Sequence, residues 1–327
     1  MKFLVSGVGD VSCPASIKVP IAMATANATK SIPVSLLENS IFFSVFIRIL
    51  WGYKFNTILA FLIPNYIIYF VNFTHSFVIM IKVTVIGSGN VGYHLINLFH
   101  SSTNVHLNEW YSRSLNSDNR VKVINEIDKL SESDIYIVCV SDNSITEVSD
   151  KIKFNNKLVV HTSGSTPYTS IDKKNRRGVF YPLQTFSKSQ KLNYSEIPLC
   201  IEAENKEDLE TLENLSKILG CKYYEINFEE RKTLHLAAII SNNFTNYLFG
   251  LSKEITDSKK LDFNILKPLI NETVNKIHKL DPVKAQTGPA RRNDLNIMKM
   301  HENMLADKNI KSLYKTMSEM IKRKYGN

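Results

Sequence analysis

Residues 80–102 read MIKVTVIGSGNVGYHLINLFHSS, and this stretch decides the fold. Ile81 to Ile86 is a largely apolar, β-branched run suited to a buried parallel strand. Gly87-Ser88-Gly89-Asn90-Val91-Gly92 follows as a complete G-x-G-x-x-G. Leu95, Ile96, Leu98 and Phe99 then supply a helical stripe. A glycine triplet alone is a weak signal; between a strand and a helix it is a dinucleotide fingerprint. Gly87 permits the tight turn, Gly89 lets the backbone approach a pyrophosphate, and Gly92 lets helix and strand pack closely. The helix start adds free N–H groups and partial positive charge. Ser88, Asn90 and Val91 complete the expected cofactor loop.

The end of the second strand selects the dinucleotide. NAD-binding domains place a carboxylate there, about 20 residues past the glycines. The second strand is predicted at Val105–Tyr111, and it ends in Ser112-Arg113-Ser114. An arginine fork between hydroxyls suits a 2′-phosphate, so NADP is expected over NAD. Glu109 is the counter-argument, but it lies three residues before the tip.

Further strands are predicted at 134–140, Leu158–His161, Gly178–Tyr181, Ile197–Ala203 and Cys221–Ile226, with a helix over Lys206–Leu219. Their alternation with helical segments predicts an α/β fold, a doubly wound parallel sheet over 80–227. Ligands of such sheets lie beyond the carboxyl ends of the strands. Ser141, Asp142 and Asn143, then His161 to Ser165, then Tyr181 to Gln184 should therefore meet the glycine loop. His161 reads equally as a proton donor or as a histidine tied into strand-end hydrogen bonds. Ser163 reads as a ligand to ribose or substrate, or as a cap of the next turn. There is no G-x-S-x-G elbow for a serine hydrolase.

Strand signals vanish after residue 227, and 228–327 is expected to be all-α. One long helix is predicted over Thr233–Ile255, others over Phe263–Leu280, Asp294–Leu305 and Ile310–Lys324. On the long helix His235 and Asn242 stand seven residues apart and should share a face, with Asn243 beside them. They face either a helix partner or the cofactor cleft. The loop from Asp281 to Asp294 carries Thr287 and the Arg291-Arg292 pair, candidates for an anionic substrate group. His301 follows Asp294 by seven residues and would join the cleft or a dimer contact.

Residues 1–79 look like different material. The run 55–81 holds 27 residues without Asp, Glu, Lys or Arg, long enough to span a bilayer. Pro64 and Asn65 interrupt it. Three readings stand: a membrane anchor at 55–79, a loosely packed leader, or a stretch outside the natural protein with translation starting at Met80. The last is favoured, because a dinucleotide-binding strand begins at Ile81 with no polar linker before it.

The whole chain of 327 residues is 44% hydrophobic and 22% charged, which excludes a disordered or collagen-like polymer. Its four cysteines (Cys13, Cys139, Cys200, Cys221) form no CxxC pair and suggest reduced thiols in a cytoplasmic protein, with no metal site. The net charge of +9 comes mainly from dispersed lysines, without an arginine stripe, so no nucleic-acid partner is expected.

The fingerprint, HTSGS (161–165), YPLQTFS (181–187), LHLAAIISNNFTNYL (234–248) and TGPARRND (287–294) together resemble one family. It is the group of Rossmann-like proteins with a DUF2520 C-terminal helical domain, often labelled coenzyme F420-dependent NADP oxidoreductase-like. The resemblance covers 80–327 and implies a fold like that of pyrroline-5-carboxylate reductases and 6-phosphogluconate-type dehydrogenases. It also implies an NADP-binding domain, a small-molecule substrate and a homodimer built on the C-terminal helices. The related β-hydroxyacid dehydrogenases use a Lys-x-x-x-Asn pair on the first long helix. Asn242 or Asn243 matches the asparagine, but Ala238 or Ile239 stands where the lysine belongs. His235, one turn away, is then the acid/base candidate, with His161 as the other. Ser163, Gln184, Thr287 and Arg291 are left to orient substrate. The expectation is an NADP-dependent oxidoreductase acting on a small carbonyl, imine or hydroxy compound; the alternative is a non-catalytic NADP(H)-binding protein.

Overall fold

A computed structural model describes residues 80–326 and, before them, only the backbone of three strands. The chain divides into two compact units, Met1–Ile79 and Met80–Asn327. In the first unit, β1 (Ser44–Trp51), β2 (Lys54–Leu62) and β3 (Ile68–Phe73) form an antiparallel meander. The apolar run, for which a membrane anchor is one of three readings, thus contains strand backbone wherever it is described before Met80. Its richness in Ile, Phe, Tyr and Val favours that outcome, and Pro64-Asn65 falls between the two strands. Among the described residues no helix is long and apolar enough to cross a membrane. The rest of 1–79, with Cys13, lies outside the described residues.

The second unit is built on an eight-stranded sheet. Its strands are β4 (Ile81–Ile86), β5 (Val105–Tyr111), β6 (Lys122–Ile124), β7 (Ile135–Val138), β8 (Leu158–His161), β9 (Arg176–Pro182), β10 (Leu199–Ala203) and β11 (Tyr223–Glu225). The spatial order is β11-β10-β9-β8-β7-β4-β5-β6. The chain runs outward from β4 in both directions, so the switch point lies between β4 and β7, where an open α/β sheet opens its ligand crevice. This is the doubly wound Rossmann architecture. One departure from the expected parallel sheet is β10, which pairs antiparallel with β9. Residues 183–198 contain no α-helix to carry a parallel crossover, so the strand must return in the opposite sense.

Alternation along the strands fills two cores. Val83, Val85, Ile135, Ile137, Val160 and Phe180 face one side and pack with Leu95, Ile96 and Phe99 of α1 (Asn90–Ser101). Leu212 and Leu215 of α3 (Lys206–Ile218) belong to the same cluster. Ile86, Tyr136, Val138 and Val159 face the other side with Ile145 of α2 (Ile145–Asp150) and Ile152.

The helical half starts at α4 (Phe228–Ala238), whose first turn is closed by a capping box between Asn227 and Glu230. The predicted single helix is in fact interrupted. A π turn at Ile239–Phe244 separates α4 from α5 (Thr245–Ser258). There follow α6 (Lys267–Lys279), the short α7 (Pro282–Ala285), α8 (Leu295–Met304) and α9 (Lys308–Tyr325). Of the hydrophobic side chains in this half, only Leu251, Ala290 and Met298 are buried among the described residues.

Candidate active site

The glycine loop sits at the carboxyl end of β4. Gly87 has φ +115°, and a Cβ there would lie 2.3 Å from the Cys139 carbonyl oxygen. A Cβ on Gly92 would lie 2.1 Å from the Gly87 carbonyl oxygen, so the first turn of α1 closes directly onto the loop. Gly89 differs: nothing lies within 4 Å of where its Cβ would be. The two outer glycines are thus demanded by the fold, whereas the middle one leaves a bare backbone facing open space, as a cradle for phosphate requires. The indole N–H of buried Trp110 donates to the Gly87 carbonyl at 2.8 Å and braces the loop from below.

A cavity of about 670 Å³ opens from this loop along the ends of β5 and β7. Gly87, Ser88 and Gly89 line it, with Ser112, Arg113 and Ser114 at one side and Ser141 and Ser144 at another. Ser112 donates to the Ser88 hydroxyl at 2.7 Å and accepts from the backbone N–H of Leu115 at 3.0 Å, which shapes the loop around Arg113. Arg113 is exposed. Glu109 is withdrawn from this cavity: it is buried, and its carboxylate accepts from the Ser131 N–H, the Ser131 hydroxyl and Lys122. Burial pushes its pKa up, but these three donors outweigh it and hold the carboxyl below its ordinary range. Asn90 and Val91 lie outside the cavity lining. The Asn90 amide donates to the Phe186 carbonyl at 2.9 Å, tying the helix start to the loop after β9. His94 does the same one turn later, through Ser187 and Tyr194.

A second constellation lies where β8 and β9 end. The Tyr181 hydroxyl and His235 Nδ1 are 3.1 Å apart, joining the sheet to α4. A Cβ on Gly164 would stand 2.6 Å from His235 Nδ1 and 2.9 Å from the Tyr181 ring, so glycine is what admits the pair. Burial pushes the Tyr181 phenol up to about 12, which keeps it protonated. Asp142 accepts a hydrogen bond from Ser165 at the same strand ends. Arg231, one turn before His235, is fully buried. Its guanidinium pairs with Glu202 of β10 and donates to the Thr166 carbonyl at 2.7 Å. This bridge fixes α4 against the sheet and so sets where His235 stands.

Other expected site residues are placed differently. His161 is fully buried; its Nδ1 accepts from the Ser163 N–H at 3.1 Å and Nε2 faces the Pro167 carbonyl at 3.3 Å. Burial lowers its imidazole to about 4, so it is neutral, with no ring nitrogen left for a ligand. That corrects the proton-donor reading: desolvation and two backbone partners make His161 a strand-end strut. The Ser163 hydroxyl accepts from the N–H groups of Ser165 and Thr166, both at 3.1 Å, and caps the turn. Gln184 is exposed and accepts from the adjacent Thr185 N–H.

Asn242 and Asn243 are exposed on the π turn, which adds a residue to the helical repeat and breaks the shared face expected with His235. Thr287 lines a separate apolar cavity of about 340 Å³ between α5 and α9. Arg291 donates to the Gln286 carbonyl within its own loop. Neither is brought to the cleft within the chain. His301 bonds the Tyr314 hydroxyl at 2.8 Å, clasping α8 to α9. Among the described residues no cluster of His, Cys, Asp and Glu could hold a metal ion. Tyr181 and Gly164 lie in strand-end segments expected at the site but without a role of their own, and Arg231 was not marked from sequence. Tyr181 and Gly164 stand at strand ends where the switch-point rule points, whereas nothing local marks Arg231.

Comparison with known proteins places this geometry. The model of the family described as Domain of unknown function (DUF2520) matches residues 197–321. No curated protein matches the sequence significantly. Among solved structures, the chain is similar to a candidate NADP oxidoreductase of Bacteroides fragilis. The two share 34% identity over 75% of this chain and 99% of that one, with a TM-score of 0.70. A protein of Thermotoga maritima is 21% identical over 74% of this chain and 98% of its own, with a TM-score of 0.58. A 1-pyrroline-5-carboxylate reductase of Streptococcus pyogenes shares the fold at 11% identity, over 75% of this chain and 99% of its own, with a TM-score of 0.50. On the match along the full length of the Bacteroides fragilis protein, together with the C-terminal domain match, the chain belongs to the Rossmann-type, NADP oxidoreductase-like family that carries a DUF2520 domain.

Proposed function

We propose that this protein is an NADP-dependent oxidoreductase acting on a small carbonyl, imine or hydroxy compound. The observation that carries the reading is the glycine-loop cavity, a bare glycine backbone with an arginine between two serines, on the same sheet whose β9 holds Tyr181 against His235. Gly87 to Gly92 would hold the pyrophosphate, with Ser141 and Asp142 at the next strand end. Arg113 would take the 2′-phosphate, with Ser112 and Ser114 beside it. The candidate NADP oxidoreductase of Bacteroides fragilis supports the same cofactor. The nicotinamide, when bound, supplies or accepts the hydride. The chain's own part is the accompanying proton. Tyr181, which burial keeps protonated, would donate to Nδ1 of His235, which leaves the imidazole proton on Nε2. As the Nε2 proton passes to an oxygen or nitrogen on the substrate, the phenol proton of Tyr181 would pass to Nδ1, so that the pair relays one proton and recovers it in reverse.

The exposed apolar side chains of the helical half support a homodimer through the C-terminal helices. The buried reduced cysteines Cys139, Cys200 and Cys221 suit a cytoplasmic setting.

The test is calorimetric titration of the full chain with NADP(H) and NAD(H), repeated on Arg113→Ala. NADP(H) should bind tighter than NAD(H), and the variant should lose about tenfold or more for NADP(H) alone, the worth of a charge-assisted hydrogen bond. Failure to bind either dinucleotide would overturn the reading. Binding without turnover of any imine, keto or hydroxy acid would leave a non-catalytic NADP(H)-binding protein.

A further inference from the structure

Besides the glycine loop, the large cavity is lined by three charged side chains. Arg113 reaches it from the loop after β5; Glu147 and Lys151 reach it from α2 and its C-terminal cap. Ile127 and Val148 add apolar lining to the same cavity. The Lys151 ammonium donates to Glu147 Oε1 at 2.5 Å. Arg113 lines the same cavity and adds its field to the hydrogen bond from Lys151. Glu147 is thus an anion paired with Lys151 in a cavity that Arg113 also lines.

We infer that Lys151 is a second cation for the cofactor's 2′-phosphate and that Glu147 is its resident counter-ion, so that cofactor choice is set on α2 as well as at Arg113. The inference rests on the dinucleotide reading above. A phosphate monoester carries about −1.5 to −2 charges at pH 7, more than one guanidinium neutralises. Lys151 is a point charge on a flexible stem and can reach a new anion without moving the helix. Its present partner is easily displaced. Glu147 and Lys151 are an exposed i,i+4 pair, with side chains 69% and 55% accessible, and such pairs are weak. A phosphate of higher charge wins the lysine, and Glu147 turns to water. A dinucleotide with a free 2′-hydroxyl brings no such charge and leaves the pair intact. Glu147 therefore opposes the 2′-phosphate twice, by holding Lys151 and by like-charge repulsion, and is indifferent to the hydroxyl.

The test is titration of the full-length protein and its Lys151→Met and Glu147→Gln variants with adenosine 2′,5′-bisphosphate and adenosine 5′-monophosphate, and then with NADP⁺ and NAD⁺. Lys151→Met should weaken the 2′-phosphorylated member of each pair by about tenfold, and Glu147→Gln should tighten it by about threefold. The members lacking the 2′-phosphate should change by less than about twofold. Equal shifts for both members of a pair, or no shift with NADP⁺ still bound, would overturn the role of α2 and leave the dinucleotide reading standing. A wild-type protein that binds none of the four ligands would overturn both.

Discussion

Gly164 has no catalytic group, yet the proposed chemistry depends on it. Its missing Cβ leaves the space in which His235 and Tyr181 meet. Gly164→Ala should push the imidazole off the phenol while leaving the glycine loop untouched. Imidazole nitrogen NMR should show His235 losing its shared Nδ1, turnover should fall by at least about tenfold, and NADP(H) affinity should change less than about twofold. An unchanged His235 signal would refute the packing argument. His161 makes a different prediction, about stability. Its folded value of about 4 lies below the ordinary value of 6.5. Between those values the unfolded chain binds more protons than the folded one, so stability is full above pH 6.5 and falls as the pH drops toward 4. The loss should approach about 3 kcal/mol. Urea midpoints measured at neutral pH and near pH 4.5 should converge for His161→Asn and diverge for the wild type; parallel behaviour would rule out His161 as the source. The sequence stated both readings of this histidine. Burial decides between them, and burial at a strand end depends on what the following loop covers, which no local pattern encodes.

Among the elements, those whose residues see only their neighbours in sequence were the legible ones. β4 and β8 run between the residues that their apolar patterns mark, because a buried parallel strand needs a largely apolar run and stops where it stops, and β5 keeps the predicted bounds Val105–Tyr111. The antiparallel turn into β10 and the π turn after α4 escaped for physical reasons. The first follows from an absence, a connection without a helix. The second breaks the period of 3.6 on which any face argument rests, in a run where Ile239, Ile240, Asn242 and Asn243 are all indifferent helix formers. The docking of α4 also depends on a pair far apart in sequence, Arg231 and Glu202. Arg231→Met would leave the Glu202 carboxylate, only 14% accessible, beside the sheet without its cation. Denaturant unfolding should show a loss of about 3 to 5 kcal/mol. The double variant with Glu202→Leu should recover much of it, because replacing both partners removes the buried charge. A double variant no more stable than Arg231→Met would show that the pair does more than neutralise itself.

At the scale of the whole molecule, the helical half presents apolar surface that water would not leave uncovered. Leu236, Ile240, Phe244 and Tyr247 are all more than half exposed across α4, the π turn and the start of α5. Ile265 and Leu269 extend the pattern to α6, and Met300 and Met304 to α8. Isolated exposed apolar residues need no explanation, but this many on elements with so little interior of their own do. Permanent interfaces resemble a core cut in half, and most soluble oligomers pair identical chains. A second copy supplies a matching apolar face at equal concentration by construction, which is why we propose a homodimer through these helices. Sedimentation of the full chain should give twice the monomer mass at micromolar concentration, with a Tm that rises with protein concentration. Phe244→Asp with Leu269→Asp should shift the mass to that of the monomer and lower the Tm, since each places a charge where a partner is expected. A wild-type chain that sediments as a monomer and melts at one temperature across a hundredfold dilution would show that these helices keep their apolar surface without a second copy.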